Sequence, residues 1–182
     1  MNVNYIPFEI DNLATIQKEL HSRYVNMTNS VKLQTQKVDW TKENFSSIYD
    51  PIQLLANKFN VSVTTSRFFY TPPHVELEPH IDGNVITEKY WALNIPISVD
   101  NSNHYQEWFS YNGEILIDSN QVYANSIKPK EPEKLVSIDK LLLLAPHFVK
   151  VGTFHKVVNN SDKGRFVLSI RFTSSDFINT LG

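Results

Sequence analysis

Pro79-His80-Ile81-Asp82-Gly83 is the stretch against which the rest of the chain is read. A histidine and an aspartate stand two positions apart, and in an extended segment residues i and i+2 point to the same side. Their Cα atoms then lie roughly 6–7 Å apart, twice the rise per residue of a strand. One imidazole nitrogen and one carboxylate oxygen can therefore close on a single ion. Two ligands make a weak site, so a third must come from elsewhere. The best candidate is His155, just before a turn and a strongly alternating strand. His147 lies eight residues earlier and in phase with it, so parity alone does not choose between them. Two histidines and a carboxylate leave open positions on the ion.

The bulk numbers set the frame. A chain of 182 residues is expected to form one domain with a proper core. We read 1–60 as a helical support and 61–182 as a β-rich core. At 41% hydrophobic and 20% charged residues the composition is that of a soluble globular protein. A net charge of −2 makes no case for nucleic acid or an anionic membrane as partner. Cysteine is absent, which removes disulfides, thiolate metal sites and a cysteine nucleophile together. The N-terminal stretch has neither a basic segment nor an apolar one, so no signal peptide is expected. The apolar run Leu141 to Pro146 is too short to span a bilayer. These features together give the expectation of a cytoplasmic protein.

Helix signals come first. Asp11 is a candidate N-cap, with Leu13, Ile16, Leu20 and Tyr24 at helical spacing. Asp50 and Pro51 mark another start, with Ile52, Leu55 and Phe59 on its buried face. A short strand is expected from Val3 to Ile10, and residues 26–39 read as polar and irregular. From Val61 the chain turns β-branched and aromatic. Strand-like runs follow over Val85–Val99, Tyr105–Tyr111, Glu114–Ile117, Gln121–Ala124, Leu135–Ile138, Leu141–Leu144, Phe148–Val158 and Arg165–Thr173. Turn residues separate them, among them Asn112-Gly113 and Lys128-Pro129. Many short strands after two helices predict an α+β chain, mainly β, built as a sandwich, barrel or jelly roll.

The last run carries two arginines on one face. Phe166, Leu168, Ile170 and Phe172 alternate with Arg165, Val167, Ser169 and Arg171. An exposed face would explain them. So would an arginine at the mouth of a pocket, gripping a carboxylate with its fork.

With His80, Asp82, His155 and Arg165 in order, the chain resembles the Fe(II)/2-oxoglutarate-dependent dioxygenases. His155, unlike His147, has an arginine ten residues on. The surrounding text, EPHIDG, WALNIPI and LLLLAPHFVKVGTFHKVVNNSDKGRFVLSIRF, agrees, and the resemblance spans roughly residues 61–173. It implies a double-stranded β-helix, a cupin-like jelly roll with the N-terminal helices packed outside. It implies that His80, Asp82 and His155 bind Fe(II), and that Arg165 pairs with the distal carboxylate of 2-oxoglutarate. Arg171 is the alternative anchor. Tyr70 and Asn94 are further candidates for the cosubstrate pocket, against an interface aromatic and a turn contact as their plain alternatives. Phe68, Tyr70, Trp91, Phe148, Phe154 and Phe166 would supply an apolar lining, and Trp108 either a substrate-binding aromatic or a small satellite core.

The expected activity is that of a dioxygenase using Fe(II), 2-oxoglutarate and O₂, with ascorbate supporting turnover. Relatives that halogenate replace the ligand carboxylate with a small residue, so Asp82 favours hydroxylation. The nearest flavour is the prolyl and aspartyl/asparaginyl hydroxylase-like branch, from HIDG and the pattern after His155. The substrate would be an amino acid, a peptide side chain or another small molecule. The oligomeric state is not written in the sequence. Two rivals stand beside this reading: a non-catalytic jelly-roll binding module, and a cupin-type metalloenzyme that does not use 2-oxoglutarate.

Overall fold

The computed structural model describes residues 3–26, 32–82, 90–98, 103–118 and 126–181. Among the described residues two α-helices, α1 (Leu13–Tyr24) and α2 (Tyr49–Lys58), accompany thirteen strands. These are β1 (Tyr5–Pro7), β2 (Gln34–Val38), β3 (Val63–Thr71), β4 (Val75–Glu76), β5 (Ile81–Asp82), β6 (Trp91–Pro96) and β7 (His104–Ser110). They continue as β8 (Ile115–Asp118), β9 (Ser126–Pro129), β10 (Val136–Leu142), β11 (His147–Lys150), β12 (His155–Asn159) and β13 (Arg165–Phe172). A six-stranded sheet runs β1-β11-β6-β13-β3-β2 and faces a four-stranded sheet, β10-β7-β12-β4. A three-stranded sheet, β5-β9-β8, joins the four-stranded one through a single bridge between His80 and His155. The result is the expected jelly roll with helices outside. No helix among the described residues is long and apolar enough to cross a membrane.

Several local expectations need correction. Residues 34–38, read as irregular, form β2 on the edge of the large sheet, because their backbone pairs with β3 while all their side chains but Val38 are polar. The run Phe148–Val158 is two strands, β11 and β12, in different sheets. Leu135–Ile138 and Leu141–Leu144 merge into β10, with a bulge between Ser137 and Asp139. Lys128 and Pro129 belong to β9, since Pro129 ends that strand, where a missing N–H is tolerated. Helix α1 starts after Asn12, in a left-handed conformation at φ 56°, without a side-chain cap from Asp11. Helix α2 starts one residue before Asp50, which instead sits in the first turn and pairs with Lys42. Gly83 and the run Gln121–Ala124 lie outside the described residues.

The large sheet has one face for each half of the core. Phe166, Leu168, Ile170 and Phe172 point outward with Phe68, Tyr70, Trp91 and Phe148. Ile16 and Leu20 of α1, Phe45, and Ile52 of α2 close over them. Burying such side chains contributes about 1.5–3 kcal/mol each, which is why the helices dock here. Most of the aromatics expected to line a cavity therefore serve the helix interface. Phe154 is the exception and packs with Ile81 and Ile127. Inside the roll, Ala92, Val149, Val151 and Val167 meet Trp108, Leu141 and Leu143. Trp108 is fully buried there, stacked on Tyr5 at 5.8 Å, and its Nε1–H donates to the Lys150 carbonyl at 2.8 Å. It is core, not a substrate-binding aromatic.

Candidate metal centre

His80 and His155 come from segments far apart in sequence and meet as a closed backbone pair. The His80 N–H donates to the His155 carbonyl and the His155 N–H to the His80 carbonyl, both at 2.9 Å. Asp82 is fixed by its own N–H, which donates to the Val151 carbonyl at 3.0 Å. The two imidazole centroids then lie 4.7 Å apart. The potential ligand atoms of His80, Asp82 and His155 all fall within 4.8 Å of one another.

Each imidazole is oriented in the same way. Nδ1 of His80 lies 2.8 Å from the Glu78 carbonyl, and Nδ1 of His155 lies 3.0 Å from the Thr153 carbonyl. A carbonyl only accepts, so both Nδ1 atoms carry a proton, and in the neutral ring Nε2 is the nitrogen with a lone pair. Asp82 is split between two tasks. Its Oδ2 contacts Nη2 of Arg171, while its Oδ1 lies 3.4 Å from Nε2 of His80. One oxygen is thus held by the protein and the other faces the imidazoles.

The electrostatics follow from this packing. Burial pushes the Asp82 carboxyl up, but the Arg171 guanidinium, helped by the two imidazoles, holds it well below the usual carboxylate range. Burial, with the His80 charge beside it, lowers His155 to about 4. His80 is lowered by burial but raised on balance by its contact with Asp82. At neutral pH the centre therefore offers an ionised carboxylate and a neutral His155, and at His80 a proton competes with any bound cation.

Another feature lies deeper in the roll. Arg165 is 3% exposed, and its Nε and Nη2 have no hydrogen-bond partner. Burial lowers its guanidinium to about 10. It shares the inner face with Ser169 and Arg171, and it stands directly opposite Thr71. Asn159 fixes the turn that delivers it. The buried amide donates to the carbonyls of Thr71, Pro72 and Lys163 at 2.9–3.0 Å. Along β13 the four steps from Arg165 to Ser169 span ~13 Å, and Arg171, which touches Asp82, lies two residues further on. Other unpartnered buried atoms face the same interior. Asn94 Oδ1 sits opposite Ser169, and Gln106 Nε2 opposite Val157. Buried polar atoms normally find partners, and among the described residues these have none within the protein.

The other sequence candidates fall elsewhere. Arg171, the alternative anchor, is engaged with Asp82. His147 shares the inner face but lies edge-on to Tyr5 at 5.9 Å, away from the triad. Tyr70 is on the outer face, in the helix-side cluster, and packs so tightly on Gly164 that a Cβ there would fall 2.1 Å from its ring. Its neighbour Thr71 is the inward residue, buried beside Arg165 and missed by the sequence reading. Asn94 does face the interior.

No protein-family model matches the sequence, and no curated protein matches it. Solved structures match the fold. A viral collagen prolyl hydroxylase from Paramecium bursaria Chlorella virus-1, solved with 2-oxoglutarate, superposes with a TM-score of 0.56 at 11% identity, over 93% of this chain and 95% of that one. The epimerase SnoN, solved with Fe³⁺, α-ketoglutarate and nogalamycin RO, gives 0.58 at 13% identity, over 93% and 78%. The non-haem monooxygenase ThoJ, as its nickel complex, gives 0.53 at 12% identity, over 94% and 74%. The fold of this chain is thus the double-stranded β-helix shared with these structures, with His80, Asp82 and His155 gathered inside it.

Proposed function

We propose that the chain is an Fe(II)/2-oxoglutarate-dependent oxygenase and that its reaction is a hydroxylation of a small molecule or peptide. The observation that carries this reading is one interior holding both a His-Asp-His ligand set and a buried guanidinium with unpartnered nitrogens. The donor set fits iron: two imidazole Nε2 atoms and one carboxylate oxygen on one side leave the remaining positions open. Nε2 of His80, Oδ1 of Asp82 and Nε2 of His155 would hold the metal. Arg165 would take the distal carboxylate of 2-oxoglutarate, with the Thr71 hydroxyl beside it. When bound, iron, 2-oxoglutarate and O₂ supply the oxidation, with 2-oxoglutarate leaving as succinate and CO₂.

The protein's own part is to position and to shield. The carbonyls of Glu78 and Thr153 hold the imidazoles in the ligating tautomer. Arg171 turns one oxygen of Asp82 away from the metal position and keeps the carboxylate ionised. Val149, Val151, Val167 and Trp108 keep water from the interior. The carboxylate at Asp82 supports hydroxylation over halogenation, which needs that ligand position for a halide.

The test is whether the purified protein, given Fe(II), ascorbate and O₂, converts 2-oxoglutarate to succinate. Asp82→Ala is expected to abolish both turnover and metal retention while leaving the thermal transition cooperative. A folded wild-type protein that binds neither iron nor 2-oxoglutarate would overturn the reading. Oxygen incorporation into a product, followed by mass, separates hydroxylation from other oxidations.

A further inference from the structure

Tyr70 has no part in the oxygenase reading, and packing alone does not explain it. Its side chain is 5% exposed in the cluster beneath α1, where a phenylalanine ring would pack as well. Its hydroxyl makes no hydrogen bond among the described residues. It lies against Gly164, and both residues line a cleft outside the roll. A buried hydroxyl normally has a partner, and desolvating one without a partner is costly.

The cleft holds about 580 Å³ between α1 and the ends of β3, β6 and β13. Tyr70, Ile97 and Phe166 form the wall on the sheet side, and Gln17, Lys18 and His21 belong to the helix side. His21 stands edge-on to Phe166, with ring centroids 6.3 Å apart. Gln17 is 8% exposed and only half engaged. Its Nε2–H donates to the Pro96 carbonyl at 2.8 Å, while Oε1 has no partner among the described residues. Two buried polar groups, one on each wall, are thus left open to the same space.

The rim is basic. Lys18 and Lys163 line the cleft, and no Asp or Glu among the described residues does. The acids next to them in sequence are engaged elsewhere. Glu19 accepts from Ser46 and pairs with Arg23, and Asp162 pairs with His74. Lys18 has no ion pair among the described residues. Apolar walls with a few placed polar groups are the usual make-up of a small-molecule site.

We propose that this cleft is a second binding site, and that its ligand is a small aromatic carboxylic acid bearing a hydroxyl or amino group. The ring lies against Phe166 and Ile97. The carboxylate meets Lys18 and accepts from the Tyr70 hydroxyl, and the ligand's own donor reaches Oε1 of Gln17. The site is separate from the metal centre, since Phe166 and Arg165 are neighbours on opposite faces of β13.

Ligand-observed NMR on the purified protein, with and without Fe(II) and 2-oxoglutarate, tests this. The probes are para-hydroxybenzoate, para-aminobenzoate and para-hydroxyphenylacetate, each beside its primary amide. At least one acid is expected to bind, about tenfold tighter than its amide, as a charge-assisted hydrogen bond would give. Tyr70→Phe should weaken the acid about fivefold, the loss of one hydrogen bond. Lys18→Gln should weaken it about threefold, as befits an exposed cation. Ala14→Trp fills the cleft from the exposed side of α1 and should abolish binding with the thermal transition still cooperative. Excess 2-oxoglutarate should not displace the acid.

The proposal is overturned if no acid binds the folded wild-type protein or if an amide binds as well as its acid. It is overturned if affinity is unchanged in folded Ala14→Trp or Tyr70→Phe. Displacement by 2-oxoglutarate would put the acid inside the roll and would overturn it too. The readout is binding, so the result does not depend on turnover or on the oxygenase reading.

Discussion

Phe166, Leu168, Ile170 and Phe172 share eight residues of backbone with Arg165, Val167, Ser169 and Arg171, and the two sets meet opposite surroundings. The phenylalanine set is sealed under two helices and satisfied by packing alone. The arginine set faces the inside of the roll, where one guanidinium is buried with unpartnered nitrogens and another is tied to a carboxylate. One face of the strand is therefore optimised for stability. The other holds charge that stability alone would remove. A buried charge without a partner weakens a fold, so its presence points to something that binds there.

The contrast can be broken by substitution. Phe166→Ala on the packed face should cost about 3–5 kcal/mol, the range for deleting a buried aromatic. Urea unfolding measures it, and 2-oxoglutarate binding by the molecules that remain folded should be little changed. Arg165→Met on the other face should move stability the opposite way. Removing an unsatisfied buried cation should stabilise the ligand-free protein by about 1–3 kcal/mol. Under the proposed function 2-oxoglutarate should raise the thermal midpoint of wild type, and the same change should abolish that rise. A destabilised Arg165→Met would mean that the guanidinium already has its partner within the fold.

The smallest effect sharpens the contrast from the four-stranded sheet, where a buried charge is paired. Glu107 is 4% exposed, accepts from Ser137 at 2.6 Å and lies 3.2 and 3.3 Å from Lys140 and Lys156. Burial raises its carboxyl, but these partners together hold it below its ordinary value of 4.5. A carboxyl lowered in the folded state contributes stability that is present above the unfolded value and lost as pH falls through the folded one. Wild type should therefore lose stability on acidification below about pH 4.5. Glu107→Gln should flatten that part of the profile, as followed by thermal unfolding against pH.

What is legible in the sequence is short-range. His80 and Asp82 are related by the two-residue period of a strand, and Arg165 opens a strand whose alternation is plain. That spacing is enough to name the triad and the deep arginine. What is not legible depends on which face of an ambiguous strand turns inward. In Ser66-Arg67-Phe68-Phe69-Tyr70-Thr71 both faces carry aromatics, so polarity does not assign them. The sequence favours Tyr70 where Thr71 faces in. Only pairing with β13, almost a hundred residues later, fixes the side. Similarly, β11 and β12 read as one run because the chain changes sheets within four residues without losing its apolar character. The strand β2 is hidden for the opposite reason. Its side chains are mostly exposed, and its place depends on backbone pairing alone.

The reciprocal backbone bonds between His80 and His155 have a consequence for how the protein is made. They close a loop of more than seventy residues, and loop closure of that length is entropically unfavourable until the intervening strands are in place. The ligand set is therefore assembled by long-range contacts and belongs to the final stage of folding. A partly folded chain would carry the histidines without the site. Any metal bound by this set would therefore select only molecules in which the two segments have already met.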